Sequence, residues 1–309
     1  MTDRHPAVVL GSFVALVAVL AVSVTATSWW TLALAQVALA FVILRHFCMM
    51  HELSHGSLLD GRRANDLAGE YASLVCLTPY WGWKRIHVEH HTWAGWRDRD
   101  PTEQDSDLSK LQPWERFLAN WAWRLSVPII GASFCLRTFW NLPRLFRLFP
   151  DTPRRRFLGS VALLVAVHGT AIVFFGELYL TCYVPGLVMF LVMADPLMIS
   201  QHVGVPIYET EGREVRPFRV TEQERFARTL VFPRWFARHV LLGFNYHSHH
   251  HARPTVAGHL FSDMPFPATV EENWLAWLVR AKTTPLGTLL EGGHGGGVDA
   301  ALAKTPPAA

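Results

Sequence analysis

Four long apolar segments constrain the fold of this chain more than any other feature. They come in two pairs, residues 7–25 with 29–44 and residues 157–180 with 181–199, and the members of each pair nearly adjoin. A helix needs roughly 20 apolar residues to cross the hydrocarbon core of a bilayer. Half of the residues are hydrophobic and the mean hydropathy is +0.18. The pattern predicts an all-α integral membrane protein with four transmembrane helices in two hairpins.

The distribution of Lys and Arg predicts the orientation. One of the 28 precedes the first apolar segment, sixteen lie in residues 45–156 and eleven in residues 200–309. The positive-inside rule then places the middle segment and both termini in the cytoplasm. The first segment is followed at once by a second and lacks a clear cleavage site, so we expect it to be retained. The small net charge of +3 gives no reason to expect a nucleic-acid partner.

Three segments outside the apolar ones are predicted as helices, several of them amphipathic and rich in Trp or Arg, which suits them to the membrane interface. They are Leu67–Trp83, Trp114–Leu136 and Glu224–Phe244. The Gly-, Ala- and Pro-rich residues 291–309 are predicted to be a disordered tail. Residues 1–290 are therefore expected to form a single domain.

Histidines dominate the polar residues that can carry chemistry. Nine of the sixteen lie in four short segments: His51 and His55; His87, His90 and His91; His202; and His247, His250 and His251. Residues three and four apart share a helix face, so the members of each segment are expected to point the same way, and His249 away from them. An even number of predicted spans separates the segments, so all can meet on one side of the membrane.

The number of imidazoles predicts the type of metal centre. One tetrahedral zinc needs only four ligands, whereas eight or nine imidazoles fit two ions of higher coordination number. Imidazole suits zinc, copper, iron and nickel, and zinc has no redox chemistry. The pattern therefore favours two redox-active ions, and two irons, which can accept electrons and activate dioxygen, are the expected pair. The four Cys form no C-x-x-C motif, which excludes a zinc ribbon.

A zinc protease is one alternative. His51-Glu52-Leu53-Ser54-His55 matches H-E-x-x-H, in which the Glu is the general base. The nearby Leu59-Asp60-Gly61 resembles an aspartate motif of intramembrane metalloproteases, but five residues downstream it is typical of a turn. This alternative leaves the other histidine segments unexplained.

A metal transporter is a second alternative, because ionisable groups within spans mark ion pathways. His168 and Asp195 are such groups. His168 lies eleven residues inside its span and Asp195 about four from the end of its own, or ~16 Å and ~6 Å along a helix. The different depths argue against a pair, and the candidate ligands lie outside the spans.

Three further residues are candidates to position the ligand histidines without binding the metal themselves. Glu52 can orient a ligand histidine through a hydrogen bond. Asp195 precedes His202 by seven residues and would face the metal site on a continuous helix, unless Pro196 breaks it. Asn245 can hydrogen-bond a ligand or cap a helix. The acidic residues Asp98, Asp100, Asp105 and Asp107 are expected to form a solvated loop.

Four sequence stretches resemble the membrane fatty acid desaturase family, which also contains hydroxylases, ketolases and acetylenases. They are HELSHGSLLDGRRANDLAGE (51–70), WKRIHVEHHTWAGWRDRDPT (83–102), ISQHVG (199–204) and FNYHSHHHARPTVAGHL (244–260). The resemblance covers about residues 30–265. It implies four spans under a cytosolic helical cap, with the nine histidines holding a non-haem di-iron centre and O2 as co-substrate. His249 departs from the family, where relatives often carry Glu or another residue.

The resemblance also implies an activity: O2-dependent attack on an unactivated C–H bond of a long-chain acyl lipid, by desaturation or hydroxylation. A carotenoid or isoprenoid hydroxylase or ketolase is the alternative within the same superfamily. A tunnel lined by Trp, Phe and Leu is expected to admit the chain from the membrane. An external electron donor of the ferredoxin or cytochrome b5 type is implied, and a bacterial inner membrane is the expected location.

Overall fold

The computed structural model describes residues 5–104, 111–264 and 270–303, and most of them are helical. In chain order, the helices are α1 (Pro6–Thr25), α2 (Trp29–His55), α3 (Arg62–Cys76), α4 (Tyr80–Trp93), α5 (Pro113–Arg124), α6 (Ile129–Thr138), α7 (Leu142–Leu148), α8 (Arg154–Cys182), α9 (Val184–His202), α10 (Arg234–His239), α11 (His247–Ala252), α12 (Trp274–Thr283), α13 (Leu286–Glu291) and α14 (Val298–Ala303). Short strands are β1 (Ile207–Tyr208), β2 (Thr229–Val231), β3 (Glu271–Asn273) and β4 (His294–Gly296).

The prediction of four long apolar helices is confirmed. Among the described residues, α1, α2, α8 and α9 are long and apolar enough to cross a membrane. Pro6 occupies the first turn of α1, where its missing N–H has no cost, and the Ser28 side chain caps α2 by accepting from Thr31 N at 3.1 Å. Large apolar side chains of α8 such as Val173 and Phe174 are exposed, as expected of a lipid-facing surface. The two-hairpin arrangement and the cytosolic side of the cap stay predictions.

Helix α2 continues eleven residues beyond residue 44, where its apolar segment was expected to end. Arg45 follows the apolar run, but no residue breaks the helix until Gly56, which takes the left-handed conformation (φ 72°) that glycine adopts most easily. The extension carries His51 and His55 out of the apolar region on a rigid element.

Gln36 joins α2 to the three other long apolar helices. Its amide nitrogen donates to Ser23 Oγ on α1 (3.1 Å) and to the Cys182 carbonyl (3.2 Å), and its oxygen accepts from Gly186 N on α9 (3.0 Å). A Cβ at residue 186 would collide with Leu39 of α2. Helices α2 and α9 therefore pack closely, and a buried amide is fully paired.

Two of the predicted helices are interrupted. Leu67–Trp83 was predicted as one helix, but α3 ends at Cys76, Leu77 has φ 53°, and α4 begins after Pro79. The predicted helix Trp114–Leu136 is likewise split into α5 and α6 before Pro128. The residue before a proline is disfavoured in helical geometry, which explains both breaks.

The third predicted helix, Glu224–Phe244, is wrong as a single element. The chain forms a 3-10 turn at Val220–Phe226, then β2, and only after Pro233 the six-residue α10. Strand β2 pairs in parallel with β3. This irregular stretch lies against α11 and leads the chain into it.

The end of the chain is ordered where disorder was expected. Strand β4 pairs in parallel with β1, and Val298 and Ala301 of α14 are buried against Trp96 and Tyr208. A glycine allows the close approach of this segment to Tyr208, because a Cβ at Gly295 would collide with the Tyr208 ring. The expected tail at 291–309 is thus structured over residues 291–303, and residues 304–309 lie outside the described residues.

Candidate metal centre

The nine predicted ligand histidines come together from four helices. Helix α2 contributes two in its last two turns, α4 three, α9 its last residue and α11 three. They form two groups, and within each group one side-chain nitrogen per residue lies within 4.8 Å of all the others. The five-histidine group is His51, His55, His87, His91 and His250. The four-histidine group is His90, His202, His247 and His251.

Helical spacing explains this division, which differs from the expectation that each segment points one way. Successive residues of an α-helix are about 100° apart around the axis, so His87 and His91 differ by only ~40°, while His90 lies ~100° from His91. On α4, His90 therefore turns towards the four-histidine group. The same division occurs on α11, and both helices bridge the two groups.

The spacing of the ring nitrogens fits ligands that converge on an ion. In the five-histidine group the Nε2–Nε2 distances are 2.8 Å (His55–His87), 3.2 Å (His87–His91) and 3.0 Å (His91–His250). In the four-histidine group they are 2.8 Å (His202–His247), 3.2 Å (His247–His251) and 3.3 Å (His90–His251). Two nitrogens bound at right angles, each about 2.1 Å from one ion, are about 3.0 Å apart. The donor set therefore suits one ion in each group.

The protonation state also suits metal binding. Burial lowers the pKa of His87, His91, His247, His250 and His251 well below 6.5, and the neighbouring imidazoles lower each further. Neutral imidazole is the form that binds metals. Nε2 of His51 is buried and has no hydrogen-bond partner among the described residues. Coordination to a metal ion would use the lone pair of this nitrogen.

Asp100 is a candidate functional residue that the sequence pattern placed in a solvated loop. The Nδ1–H of His90 donates to Asp100 Oδ2 at 2.6 Å, and Thr102 donates to Oδ1 from its amide (2.9 Å) and hydroxyl (2.8 Å). Burial lowers the pKa of His90, but the Asp100 carboxylate outweighs this effect and the net pKa is raised. A carboxylate behind a ligand histidine fixes its tautomer and orientation.

The acidic stretch was expected to be a solvated loop, and for Asp100, which is only 1% exposed, this is wrong. Asp98 is exposed as expected, and it accepts hydrogen bonds from the amide and the hydroxyl of Thr210. The sequence signal that could have identified Asp100 is Asp100-Pro101-Thr102. An Asp that accepts a hydrogen bond from the amide two residues later forms a compact turn. Asp105 and Asp107 lie outside the described residues.

Glu52 lies behind the five-histidine group. Its Oε1 accepts from His51 Nδ1 at 3.1 Å, and its Oε2 accepts from the Ser57 hydroxyl (2.9 Å) and the Gly258 amide (2.8 Å). Both oxygens are thus engaged, Oε1 with His51 and Oε2 with the two groups that hold the carboxylate in place. The general base of a zinc protease needs a carboxylate that reaches the metal-bound water, so this geometry does not favour the protease alternative.

The other two supporting candidates lie elsewhere. Asp195 lies on the wall of a cavity against the backbone of Gly131. Asn245 donates from Nδ2 to the Leu230 carbonyl at 2.8 Å and ties β2 to the start of α11. Within the described part of the chain, neither side chain is hydrogen-bonded to any of the nine histidines. Helix α11 has no side-chain cap either, since its N-cap residue is Tyr246.

Hydrogen bonds from side chains to backbone carbonyls fix the remaining elements. Nδ1–H of His202 donates to the Phe226 carbonyl at 2.9 Å, and Nε2 of the Gln223 side chain donates to the His91 carbonyl at 2.8 Å. The Gln201 side chain donates to the Phe244 carbonyl at 3.0 Å. The irregular stretch before α11 therefore orients the ends of α4 and α9. Nothing in the spacing of the histidines indicated these contacts.

An apolar cavity of about 250 Å³ reaches the histidines. It follows one face of α9, which lines it with Phe190, Leu191, Ala194, Asp195, Met198, Ile199 and His202. The separation of twelve residues between Phe190 and His202 corresponds to ~18 Å of helix. Rings of Phe47, Trp83, Phe134, Phe139 and Phe244 line the other walls. The cavity contacts His90, His202 and His247 of the four-histidine group but only His87 of the five-histidine group.

The resemblance to a known family is confirmed by comparison with known proteins. The family model described as fatty acid desaturase matches residues 27–268. A Delta(12) fatty acid desaturase of Caenorhabditis elegans is 30% identical over 114 residues, which is 34% of this chain and 30% of the relative. A probable fatty acid desaturase of Sorghum bicolor is 24% identical over 75% of this chain and 51% of its own length. Zeaxanthin 4-ketolase of Chlamydomonas reinhardtii is 40% identical over 91 residues, 29% of this chain and 20% of the relative. The chain thus spans about half or less of these relatives.

Proposed function

Because the chain belongs to the fatty acid desaturase family, whose members are oxidoreductases, we propose that it is an O2-dependent di-iron enzyme. It attacks an unactivated C–H bond of a long-chain acyl lipid, by desaturation or hydroxylation. The observation that carries the proposal is the meeting of two imidazole groups with one apolar cavity.

The two histidine groups would each hold one iron ion, and iron of this kind supplies the oxidising power to remove hydrogen from a saturated carbon with dioxygen. The chain's own part is to set the ligands. Glu52 holds His51 and Asp100 holds His90, both through Nδ1, so that Nε2 of each ring is presented as the donor. Burial lowers the pKa of His87 and His91 and keeps both rings neutral, whereas the carboxylate beside His90 raises the pKa of that ring.

The cavity positions the substrate. Its wall of aromatic and aliphatic side chains excludes water and matches an apolar chain, and the chain would lie along α9 with its reacting carbon beside His90, His202 and His247. Correct placement of the reacting atoms supplies a large part of the rate, and a 1 Å displacement can cost about a hundredfold. The balance between desaturation and hydroxylation depends on that placement.

The stoichiometry requires an electron donor. Dioxygen takes up four electrons when it becomes two waters; two come with the two hydrogens removed to form a double bond, and two must come from outside, with two protons. In hydroxylation one oxygen atom enters the C–H bond and the other leaves as water, again with two external electrons. We propose a separate donor of the ferredoxin or cytochrome b5 type. We also propose that the protein resides in a bacterial inner membrane with both termini in the cytoplasm, in accord with the distribution of Lys and Arg.

A carotenoid or isoprenoid hydroxylase or ketolase is the second candidate. The 40% identity to zeaxanthin 4-ketolase favours it, and a rigid apolar polyene would also fit an aromatic-lined cavity. Both candidates use the same ligands and differ in what fills the cavity.

Mass spectrometry of lipids from cells with and without the gene tests the proposal, with His250→Ala as the inactive control. New double bonds in acyl chains, absent from the control, are the expected result, and hydroxylated acyl chains would select hydroxylation. Oxidised pigments would select the second candidate. Unchanged lipids and pigments in cells that contain the folded, iron-loaded protein would refute the proposed function.

A further inference from the structure

One wall of the apolar cavity carries a buried carboxylate. Asp195 of α9 is only 7% exposed and lines the cavity together with Ala194, Met198 and Phe134. Ionisable residues within apolar spans are costly and mark functional sites. Asp195 is seven residues before His202, so it lies ~10 Å from the histidines along the helix.

Within residues 5–104, 111–264 and 270–303, no cationic side chain neutralises this carboxylate by direct contact. Its polar neighbour is the backbone of Gly131 in α6, which hydrogen-bonds the carboxylate and lies so close that a Cβ there would collide with Oδ1. Lys282 is the charged group that influences Asp195 from the neighbouring α12. Its ammonium is engaged elsewhere, 2.6 Å from the Trp123 carbonyl and 3.7 Å from the centre of the Trp123 ring. Among the described side chains, none donates a hydrogen bond to Asp195 or forms an ion pair with it.

We propose that Asp195 accepts a hydrogen bond from a hydroxyl group of the substrate, so that the enzyme prefers apolar chains that carry a hydroxyl ~10 Å from the reacting carbon. The inference rests on the proposed function. A neutral donor fits better than an ammonium group, because the nearby charge of Lys282 opposes a second cation while the other lining residues are largely apolar. Thr78 and Cys135 also line the cavity, so its wall is not uniformly apolar.

A purely structural role would give a different result. The Gly131 amide lies in the first turn of α6, where helix N–H groups lack partners within the helix. If Asp195 served only to satisfy that turn, its replacement would lower thermal stability and weaken the binding of all ligands equally. Discrimination between hydroxylated and plain chains is therefore the property to measure.

The test is competition binding on the purified full-length protein in lipid nanodiscs, with radiolabelled methyl stearate as the tracer. The competitors are methyl stearate and a series of methyl hydroxystearates whose hydroxyl moves along the chain. We expect one position to bind about tenfold more tightly than the plain ester, the gain typical of a hydrogen bond to a charged group. Asp195→Leu should remove the gain while plain ester still binds, and Asp195→Asn, which keeps the shape, should reduce it.

Leu191→Met is the matched control, since it alters the same cavity wall without a polar group and should keep the gain. A wild-type protein that shows no gain at any position, or a gain that survives in Asp195→Leu, would overturn the inference. If Asp195→Leu does not fold, an undiminished gain in Asp195→Asn overturns it. Binding does not require turnover. An active enzyme that does not discriminate between the esters would therefore count against this inference alone. An inactive enzyme that does discriminate would count against the proposed function alone.

Discussion

The two histidine groups differ in construction. Four of the five-histidine ligands come as i, i+4 pairs from the long α2 and from α4, and Glu52 on α2 itself holds one of them. The four-histidine group takes its only such pair from the six-residue α11, and its other members depend on a loop carboxylate and a backbone carbonyl. The first group is set largely by helix geometry, the second by tertiary contacts.

The two groups also differ in their relation to the cavity. Three of the four histidines in the smaller group line it, against one of five in the larger group. A smaller protein donor set also leaves more coordination positions for other ligands. The four-histidine group is therefore the one that faces the cavity, and we expect the five-histidine group, which is built on longer helices, to be held more rigidly.

The largest expected effect separates the groups directly. His90 and His91 are neighbours on α4 that serve different groups. We expect His90→Ala and His91→Ala each to lower turnover at least about a thousandfold, as removal of an essential catalytic group does. Each should keep about one bound iron per chain, measured by elemental analysis. If both variants lose both ions, or neither loses any, the division into two sites is wrong.

Filling the cavity should act on substrate placement without removing metal. Ala194→Phe places a ring in the wall beside Asp195, and we expect turnover to fall about a hundredfold because the chain is displaced. Iron content should be unchanged. Val188→Phe, on an exposed part of the same helix, is the control and should retain activity. An equal loss of turnover in Ala194→Phe and Val188→Phe would mean that the cavity does not hold the substrate.

Removal of the carboxylates behind the ligands sharpens the comparison. Asp100→Asn should weaken metal binding by the four-histidine group about 10–100-fold, and Glu52→Gln that of the five-histidine group. Iron retention during titration with a chelator measures both. We expect one ion to leave early in each variant, with the larger effect in Asp100→Asn because loop residues alone orient His90. Asp98→Asn, whose partner is Thr210, should behave as wild type. Early loss of iron from Asp98→Asn would mean that any change in this loop weakens metal binding, whether or not it removes the partner of His90.

The smallest expected effect concerns the end of the chain. Val298 packs into the cluster that contains Trp96, and the Asp100 amide bonds the Trp96 carbonyl at 2.9 Å. We expect Val298→Ala to lower the free energy of unfolding by about 1–2 kcal/mol, in line with loss of buried methyl groups. Denaturant titration in detergent measures it, with Val298→Ile, which keeps the branched apolar side chain and adds one methylene, as the control. An unchanged free energy of unfolding would mean that residues 294–303 do not stabilise the loop that contains Trp96 and Asp100.

The sequence predicts the parts that local patterns determine. The apolar runs predict α1, α2, α8 and α9 because spanning a bilayer requires long uninterrupted hydrophobicity. The nine histidines could be named because so many imidazoles at helical spacings have few other uses. Their division into two groups was missed, since the assignment of His90 and His250 depends on how α4 and α11 are rotated against their neighbours.

Tertiary contacts explain the other differences. Asp100 looked like one member of a charged loop, but it is buried beside His90, and its amide donates to the carbonyl of Trp96, which packs in one cluster with Tyr208. The Gly-rich end of the chain looked disordered because the apolar surface that it covers is supplied by residues distant in sequence. Asp195 was considered a partner of the metal site, and the cavity that it lines could not be inferred from spacing alone.

Elemental analysis of the purified full-length protein tests the central claim most directly. The account predicts two iron ions per chain in the wild type and one in each of the two α4 variants. A single zinc ion per chain, with no iron after expression in iron-supplemented medium, would contradict it.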